Sequence, residues 1–279
     1  MSQRAVVVTG ASSGIGAAVA AALTRRGFIV YAGIRNDADA ERLRASNPSI
    51  RPLHLDVTDA AAIEAAVRQV RDARVALAGL VNNAGIALGG PLETIPIDEL
   101  RRQFEVNCFG ALAVTQALLP LLREQPSRIV FVGSISGRFA VPYIAPYSAS
   151  KFALRAFADA LRTELRPSHI DVCLIEPGSV ATPIWGKGRA MQGAMLARLP
   201  DGSPAYYRTA IEALGRVTES EERSGMPVER VADAVVLALT QRKPRARRII
   251  GIPAKIGATL ALLPASIHDR ILRAGMRLP

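Results

Sequence analysis

Short runs of apolar, often β-branched residues alternate along the chain with longer segments in which apolar residues recur at helical spacing. The run Ile129–Val132 contains no polar position, which is typical of a parallel strand that is buried on both faces. Strands that alternate with helices indicate an α/β fold with a doubly wound parallel sheet and helices on both faces. The pattern predicts a first helix over about Ile15–Arg26 and strands over Arg4–Val8, Phe28–Ile34, Arg51–Leu55, Val75–Val81, Arg128–Val132, His169–Ile175 and Arg247–Ile250.

The chain has 279 residues and no linker rich in Gly, Ser or Pro, so the sequence predicts a single domain over residues 1–279. The least regular stretch covers about residues 179–226 and is too long for an ordinary connection. Because it follows a strand at the sheet edge where α/β proteins bind ligands, we expect a mobile lid over a bulky hydrophobic substrate. The plainer alternative is a surface helix packed against the core. The apolar residues of this stretch include Ile184, Trp185, Met191, Met195, Leu196, Leu199, Tyr206 and Tyr207.

In the C-terminal segment, over about residues 253–279, apolar residues recur at helical spacing and predict two helices, the second of which begins at Pro264. The second is amphipathic, and the apolar run before it is too short to span a bilayer. We favour packing over the substrate pocket or on a second subunit; the alternative is peripheral contact of the basic face with an anionic membrane. The apolar positions are Ile256, Leu260, Leu263, Ile267, Ile271 and Leu272, and the polar ones are Asp269, Arg270, Arg273 and Arg277.

The formal net charge of +11 raises the question of a nucleic-acid partner. Most of this charge comes from arginines scattered among acidic neighbours, and the one basic run covers residues 242–248. No aromatic residue interleaves with the run to stack on bases, which favours a solvated stretch before a strand. The sequence therefore predicts no nucleic-acid partner.

Cys108 and Cys173 each lie in an apolar stretch without a spacing partner, which favours buried thiols over a disulfide or a metal site. Arg4 leads directly into the first strand, with no signal-peptide or transit-peptide character. A hydrophobic content of 49% with 21% charged residues is that of a globular chain. We therefore expect a globular protein of the reducing cytoplasm.

A glycine-rich turn joins the first strand to the first helix, with the sequence Thr-Gly-Ala-Ser-Ser-Gly-Ile-Gly over residues 9–16. Gly10 permits the tight turn, Gly14 lets the backbone approach phosphates, and Gly16 allows the helix to pack closely on the strand. Free N–H groups at the helix start attract an anion. The spacing differs from G-x-G-x-x-G. We nevertheless predict that the turn binds the pyrophosphate of a dinucleotide through Gly10, Ser12, Ser13, Gly14, Ile15 and Gly16.

The end of the second strand sets the choice of nicotinamide cofactor, since an acid there binds the ribose of NAD and a basic residue accepts the 2′-phosphate of NADP. Here Ile34 stands where the acid is expected, and Arg35 can present a bidentate guanidinium to a phosphate. NADP(H) is therefore favoured. The alternative is NAD(H), with Asp37 on the ribose.

Tyr147 and Lys151 stand four residues apart at the start of a predicted helix, so their side chains share one face. A phenol with a pKa near 10 is a poor acid at neutral pH, and a nearby ammonium lowers that pKa. Ser134 follows the fifth strand and can hold a substrate oxygen, with Ser136 as a rival. Asn107 is a small polar residue at mid-helix, a position that suggests a use for its amide.

With Asn82-Asn83-Ala84-Gly85 after the fourth strand and Pro177-Gly178 after the sixth, these motifs resemble the short-chain dehydrogenase/reductase family along nearly the whole chain. The resemblance implies a Rossmann fold and hydride transfer between a nicotinamide and a carbonyl or alcohol carbon. The runs over residues 127–137 and 143–165, together with Arg35, are similar to the hydroxysteroid and retinol dehydrogenase branch. Homodimers or homotetramers are usual in the family, through helices that begin near Ile97 and Tyr147.

The resemblance also assigns roles to single residues. Tyr147 exchanges the proton, Ser134 orients the substrate oxygen, and Lys151 lowers the pKa of the tyrosine and holds the nicotinamide ribose. Asn107 supports a proton relay to solvent. Asp56 lies beside the adenine in the family, although a helix cap is an alternative use for it. The further cofactor-binding residues that the family implies are Val57, Asn83, Ala84, Gly85, Pro177, Gly178, Val180 and Thr182.

Two other functions share parts of this pattern. A non-catalytic redox sensor would bind the dinucleotide but would have no need for Ser134, Tyr147 and Lys151 together. An epimerase or dehydratase of the extended branch usually carries a larger C-terminal substrate domain, for which this chain is too short. The sequence therefore favours an alcohol–carbonyl oxidoreductase.

Overall fold

Seven parallel strands form one sheet in the computed structural model, which describes residues 4–182 and 192–276. The strands are β1 Arg4–Val8, β2 Ile29–Ile34, β3 Ile50–His54, β4 Ala76–Asn82, β5 Ser127–Val132, β6 Ile170–Pro177 and β7 Arg247–Ile250. Their order across the sheet is β3-β2-β1-β4-β5-β6-β7. The order reverses between β1 and β4, and ligands of doubly wound sheets bind in the crevice at such a switch point.

Helices cover both faces of the sheet. They are α1 Gly14–Thr24, α2 Asp37–Ser46, α3 Ala60–Asp72, α4 Ile97–Phe104, α5 Gly110–Leu122, α6 Ala145–Glu164, α7 Ala205–Ser224, α8 Val228–Thr240, α9 Ile252–Leu260 and α10 Ala265–Met276. A π-helical turn over Glu105–Phe109 joins α4 to α5, and short 3₁₀ helices cover Leu92–Thr94, Ile135–Gly137 and Arg166–Ser168.

Alternate residues of β1 face two different apolar layers. Val6 and Val8 pack with α1 and α8 on one face, and Ala5 and Val7 pack with α3 and α5 on the other. All four side chains are fully buried, and burying a valine side chain contributes about 1.5–3 kcal/mol. The predicted fold class, a doubly wound parallel α/β sheet, is confirmed.

Predicted and observed boundaries differ where tertiary pairing or a turn intervenes. Helix α1 ends at Thr24 rather than Arg26, and the chain turns into β2 through Gly27 at a φ of +80°. Strand β6 continues two residues beyond its predicted end, because Glu176 and Pro177 pair with β7. Strands β1 and β7 have the predicted bounds.

The stretch predicted as an irregular lid contains more regular structure than expected. Helix α7 accounts for 20 of its residues and buries Ala210 and Ile211. Residues 192–197 are also helical, and the Met195 side chain there is buried next to Gly89 and Gly90. The predicted lid residues Ile184, Trp185 and Met191 lie outside the described residues, as do Arg277 and Leu278 of the C-terminal segment.

Charged and apolar stretches take ordinary places in the fold. Arg242, Lys243 and Arg245 are exposed before β7, as predicted for the basic run, and Arg247 forms an ion pair with Asp159 of α6. Both cysteines are free and buried, and burial raises the pKa of the Cys108 thiol to about 11. The helical run Ile97–Leu122 is long and apolar enough to cross a membrane, but half of it is buried against the sheet and α3, as in a core helix.

Candidate active site

The glycine turn after β1 has the geometry of an anion site. Gly10 and Gly14 adopt φ values of +61° and +55°, which L residues rarely adopt. A Cβ on Gly16 would lie 2.2 Å from the carbonyl oxygen of Gly10, so only glycine fits there. The side chain of Ser13 at the N-cap of α1 makes no capping hydrogen bond, so the first N–H groups of the helix remain available to a phosphate. The turn therefore fits a pyrophosphate.

The asparagine motif after β4 holds this turn in place. The Asn83 side-chain amide donates to the carbonyls of Thr9 and Gly10, both at 3.0 Å. The Thr9 hydroxyl accepts from the backbone N–H groups of Asn83 and Ala84 at 3.0 and 2.9 Å. Gly10 approaches so closely that its Cβ would lie 2.8 Å from Cα of Ala84. Sequence reasoning missed the role of Thr9, although its place before the first glycine was a signal.

The end of β2 presents basic groups beside the turn. Arg35 is exposed, and its positive charge helps lower the pKa of Asp56. A second guanidinium, which the sequence analysis missed, belongs to Arg42 of α2 and donates to the carbonyl of Ser12 at 2.9 Å. Asp37 lies in the first turn of α2 and contacts His54 at 3.1 Å, so it is engaged elsewhere.

Asp56 closes a turn rather than a helix. Its carboxylate accepts from the backbone N–H of Thr58 at 2.9 Å and from the Thr58 hydroxyl at 2.7 Å. Burial raises its pKa, but these hydrogen bonds and the charge of Arg35 outweigh burial and lower it overall. Asp59 is the residue that caps α3. Val57 packs against Gly110 at the start of α5, so Asp56 is held near the β2 edge.

Tyr147 and Lys151 lie in the first two turns of α6, beside Ser134 at the end of β5. The Ser134 hydroxyl is close enough to the Tyr147 phenol to act on the pKa of that phenol. Burial raises the pKa of Tyr147 above its ordinary value, and Ser134 acts in the opposite direction. The sequence analysis expected a lowered pKa. The difference arises because burial dominates and the ammonium of Lys151 is bonded elsewhere.

Lys151 is buried next to Ser134 and Tyr147. Its ammonium donates to the carbonyl of Val132 at 3.0 Å and lies 5.6 Å from the centre of the Tyr147 ring. Burial lowers the pKa of Lys151 to about 8. A buried lysine with such a pKa near a phenol is a feature of proton-transfer sites. The second serine, Ser136, donates its backbone N–H to the Ser134 hydroxyl at 3.1 Å and so supports it.

Asn107 lies in the π-helical turn between α4 and α5, and π turns are frequent at functional sites. Its side chain accepts from the N–H of Ile86 at 2.8 Å and donates to the carbonyl of Ile86 and the hydroxyl of Ser150, both at 3.0 Å. Gln103, fully buried one turn earlier, bonds the same segment through Leu88. Sequence reasoning missed Gln103. The two amides fix the loop after Gly85 to α6.

The loop after β6, over residues 178–182, packs against β7 and α9. The Gly178 N–H donates to the carbonyl of Ile250 at 3.0 Å, and a Cβ on Gly178 would lie 3.0 Å from Cβ of Ala254. Val180 forms a bridge with Met226 just before α8. Pro177 ends β6, and Thr182 is the last residue described before the gap. The predicted nicotinamide loop thus follows the strand next to β5 and Ser134.

Aromatic side chains from three segments meet around the loops on either side of Ser134 and Tyr147. Tyr143 adopts a φ of +66°, and its carbonyl accepts from the Gly90 N–H at 2.6 Å. Its ring meets Tyr207 of α7 edge-on, with the ring centres 6.4 Å apart. Phe139 directly follows residues 134–138, which we call the serine loop. Its ring centre lies 5.9 Å from that of His268 in α10, and a Cβ on Gly257 would lie 2.9 Å from the Phe139 ring. Both α9 and α10 therefore pack on the loop that follows Ser134.

The fold and these side chains define a dinucleotide-dependent oxidoreductase site at the switch point of the sheet. The family model for short chain dehydrogenases matches residues 4–193. The chain belongs to the short-chain dehydrogenase/reductase family and is an oxidoreductase, as its motifs predicted.

Similar proteins cover nearly the whole chain. An NADPH-dependent 3-dehydrocapnine reductase of Ornithobacterium rhinotracheale is 36% identical over 96% of this chain and 95% of its own length. Human retinol dehydrogenase 5 is 34% identical over 96% of this chain and 87% of its own. The crystal structure of a short chain dehydrogenase from Burkholderia cenocepacia in complex with NADP has a TM-score of 0.71 at 28% identity, covering 100% of this chain and 98% of that one.

Proposed function

We propose that this protein is an NADPH-dependent reductase that converts the ketone or aldehyde of a bulky apolar substrate into an alcohol, with Tyr147 as the proton donor. The observation that carries the proposal is the buried ammonium of Lys151, which is fixed on the carbonyl of Val132 and lies 5.6 Å from the ring centre of Tyr147, next to Ser134. The three groups lie at the carboxyl edge of the sheet, where ligands of this fold bind.

Each residue has a defined part in the reduction. When bound, NADPH supplies the hydride that the carbonyl carbon receives. Ser134 holds the carbonyl oxygen, and Tyr147 gives its proton to that oxygen as negative charge develops. Burial raises the pKa of Tyr147 and makes it a weaker acid, and the positive charge of Lys151 offsets this as the phenolate forms. Lys151 then stabilises the phenolate. Asn107 in the π-helical turn donates to Ser150 of α6, and we assign to it the support of the relay that replaces the proton from solvent.

The preference for NADPH rests on Arg35 and on the second guanidinium of Arg42 beside the turn. A 2′-phosphate is a dianion that arginine binds in a bidentate manner. Asp37, the alternative ligand for an NAD ribose, is engaged with His54. The 3-dehydrocapnine reductase is NADPH-dependent by name, which supports the same choice. Use of NADH at lower affinity remains compatible with the site.

An apolar substrate is supported by the aromatic side chains of Tyr143, Tyr207 and Phe139, which flank the segments that carry Ser134 and Tyr147. It is also supported by the packing of α9 and α10 on the serine loop. Retinol, the substrate that the human relative's name gives, is itself an apolar alcohol. Steroid-like, retinoid-like and lipid carbonyls are the classes that fit these side chains. The C-terminal helices would close over the bound substrate.

Assembly and location are further parts of the proposal. Ile97, Phe109 and Phe152 are large apolar residues that are 58%, 50% and 41% exposed on α4, the π turn and α6. A homodimer or homotetramer through these helices would cover them. We place the enzyme in the cytoplasm. A peripheral membrane contact through Ile256, Ile267 and Ile271 is the less favoured use of the exposed C-terminal side.

A screen of the purified protein for NADPH oxidation against apolar ketones and aldehydes tests the proposal. The wild type should turn over apolar carbonyls, and Tyr147→Phe should lose turnover while binding NADPH with nearly unchanged affinity. Turnover retained by Tyr147→Phe would reject the mechanism. A strong preference for small charged carbonyls would reject the substrate class.

A further inference from the structure

A buried ion pair lies directly behind the serine loop. The Arg138 guanidinium donates through Nε to Oε1 of Glu176 at 2.8 Å and through Nη2 to Oε2 at 2.6 Å. The Glu176 side chain is 1% exposed and that of Arg138 is 19% exposed. This bidentate geometry fixes the direction of approach as well as the distance.

The pair joins two parts of the predicted active site that are 38 residues apart in sequence. Arg138 directly follows the 3₁₀ turn Ile135–Gly137, which begins at Ser134. Glu176 is the penultimate residue of β6 and directly precedes Pro177 and the predicted nicotinamide loop. One ion pair therefore connects the segment that carries the substrate-binding hydroxyl to the strand that leads to the cofactor.

Other contacts fix the start and the side of the serine loop, and the Gly133 N–H before Ser134 donates to the carbonyl of Ile175 in β6 at 2.8 Å. Gly137 lies on the backbone of α6, where a Cβ would be 2.8 Å from the Lys151 carbonyl oxygen. The Gly137 carbonyl accepts from Arg155 of α6 at 3.3 Å, a long hydrogen bond. These contacts hold the loop beside α6 and at its start on β6, and the pair with Glu176 adds a second connection to β6 at the end of the loop.

Stability does not account for a charge pair at this position. Taking a carboxylate out of water is costly, and well-packed apolar residues of similar volume are often as stable as a buried ion pair. What such a pair adds is directional fixation, because the planar guanidinium donates two parallel hydrogen bonds that a carboxylate accepts in one orientation. The proposed reaction requires the Ser134 hydroxyl to point toward the carbonyl oxygen.

We propose that Arg138 and Glu176 are positioning residues for the reduction: their pair aims the Ser134 hydroxyl at Tyr147 and at the carbonyl oxygen. The inference rests on the proposed roles of Ser134 and Tyr147. The ion pair is expected to raise kcat by orienting Ser134. It is not expected to change the affinity for the cofactor.

A double-mutant cycle between Glu176 and Ser134 tests the coupling. In the wild type, Ser134→Ala should lower kcat on the order of a hundredfold, the loss typical of one oxyanion donor. Glu176→Gln should lower kcat about tenfold or more, with the KM for NADPH changed less than about twofold. In the Glu176→Gln background, Ser134→Ala should then cost less than about tenfold, because the hydroxyl is already misaligned. Additive losses would overturn the inference.

Amide hydrogen exchange of the NADP⁺ complex gives a second readout that needs no turnover. Glu176→Gln should speed exchange at the N–H groups of Gly137 and Arg138, which close the 3₁₀ turn onto Ser134 and Ile135. The matched control is Glu64→Gln, which removes the exposed pair with Arg68 and should leave this exchange unchanged. Equal exchange in Glu176→Gln and the wild type would contradict the positioning role.

Arg138→Lys covers the case in which Glu176→Gln does not fold. It keeps the charge but loses the fork, so the same losses should appear in smaller size. A variant with wild-type kcat and exchange would overturn the inference. The parallel Tyr147→Phe assay separates the two proposals: if that variant keeps turnover, the proposed function fails, while the exchange data still judge the effect of the ion pair on the loop.

Discussion

The two sides of the active site are built from different materials. On the cofactor side, backbone groups and small residues do the work: Gly10 and Gly16 leave no room for a Cβ, and Asn83 bonds carbonyls of the turn. On the substrate side, side chains from separate segments meet through ring edges, as Tyr143 does with Tyr207 and Phe139 with His268. We therefore propose that the constant pyrophosphate is bound mainly by backbone groups and the variable substrate mainly by side chains.

This difference predicts unequal tolerance to mutation. A backbone site fails when any side chain intrudes, because its donors cannot move without moving the sheet. A site lined by side chains can repack around a change. The predictions that follow rank these effects from the largest to the smallest.

Gly16→Ala should have the largest effect. Its Cβ would lie 2.2 Å from the Gly10 carbonyl oxygen, so the turn must shift, at a cost of about 3 kcal/mol in the free energy of unfolding. NADPH binding should be lost with it. The control is Gly193→Ala on the other side, where no atom lies within 4 Å of the new Cβ and stability should change by less than about 1 kcal/mol. Urea unfolding and NADPH titration measure both, and equal effects would remove the contrast between the two sides.

Lys151→Met should abolish turnover and yet stabilise the fold by about 2 kcal/mol at pH 7. The folded protein holds the Lys151 proton only below a pKa of about 8, whereas the ordinary value is 10.5. Burying the charge therefore destabilises the wild type fully below pH 8, and this cost disappears as the pH rises toward 10.5. Some of the gain is offset by the lost hydrogen bond to Val132.

Urea unfolding at pH 7 and pH 10 measures this effect. The advantage of the methionine variant should shrink at pH 10. An advantage that is equal at both pH values would show that the lysine is not a buried cation whose charge carries the cost.

Arg35→Asp should raise the KM for NADPH about tenfold to a hundredfold and leave the KM for NADH little changed, because it removes a phosphate ligand that only NADPH uses. Arg44→Asp is the control, since it makes the same charge change at another exposed position of the same region. Steady-state kinetics with both cofactors check the result. Equal losses for NADPH and NADH would contradict the assignment.

Truncation after Pro253 should have the smallest effect, about a fivefold rise in the KM for an apolar carbonyl, or roughly 1 kcal/mol. It removes α10 and most of α9, which pack on Phe139 beyond the serine loop. The KM for NADPH should rise less than this, because on the cofactor side the truncation removes only the contact of Ala254 with Gly178. A soluble, fully active truncated enzyme with unchanged constants would reject the lid, and failure of anionic liposomes to retain the full chain would reject the membrane alternative.

The parts that sequence could predict are those governed by local pattern. The runs that became β1 and β7 were recognisable as short segments that begin with arginine and end in β-branched apolar residues, and the spacing of Gly10, Gly14 and Gly16 marked the turn. Tyr147 and Lys151 were visible because one helical turn separates them. Such features depend on residues that are close together in the chain, so they can be recognised from a single sequence.

The parts that sequence could not predict depend on distant partners. Gln103 acts through Leu88, Arg42 through Ser12, and Arg138 through Glu176, and nothing local marks those contacts. The raised pKa of Tyr147 has the same origin, because the extent of burial is a tertiary property. Helix α7 was likewise hidden inside a stretch judged irregular as a whole.

Deuteride transfer tests the central claim most directly. The wild type, given NADPH deuterated at nicotinamide C4 and a panel of apolar and small charged carbonyls, should place deuterium on the carbonyl carbon of the apolar products, as mass spectrometry of the alcohols would show. Tyr147→Phe should bind the same cofactor and yield no labelled alcohol. Labelled product from Tyr147→Phe, or labelling confined to small charged carbonyls, would contradict an apolar-carbonyl reductase that works through Tyr147.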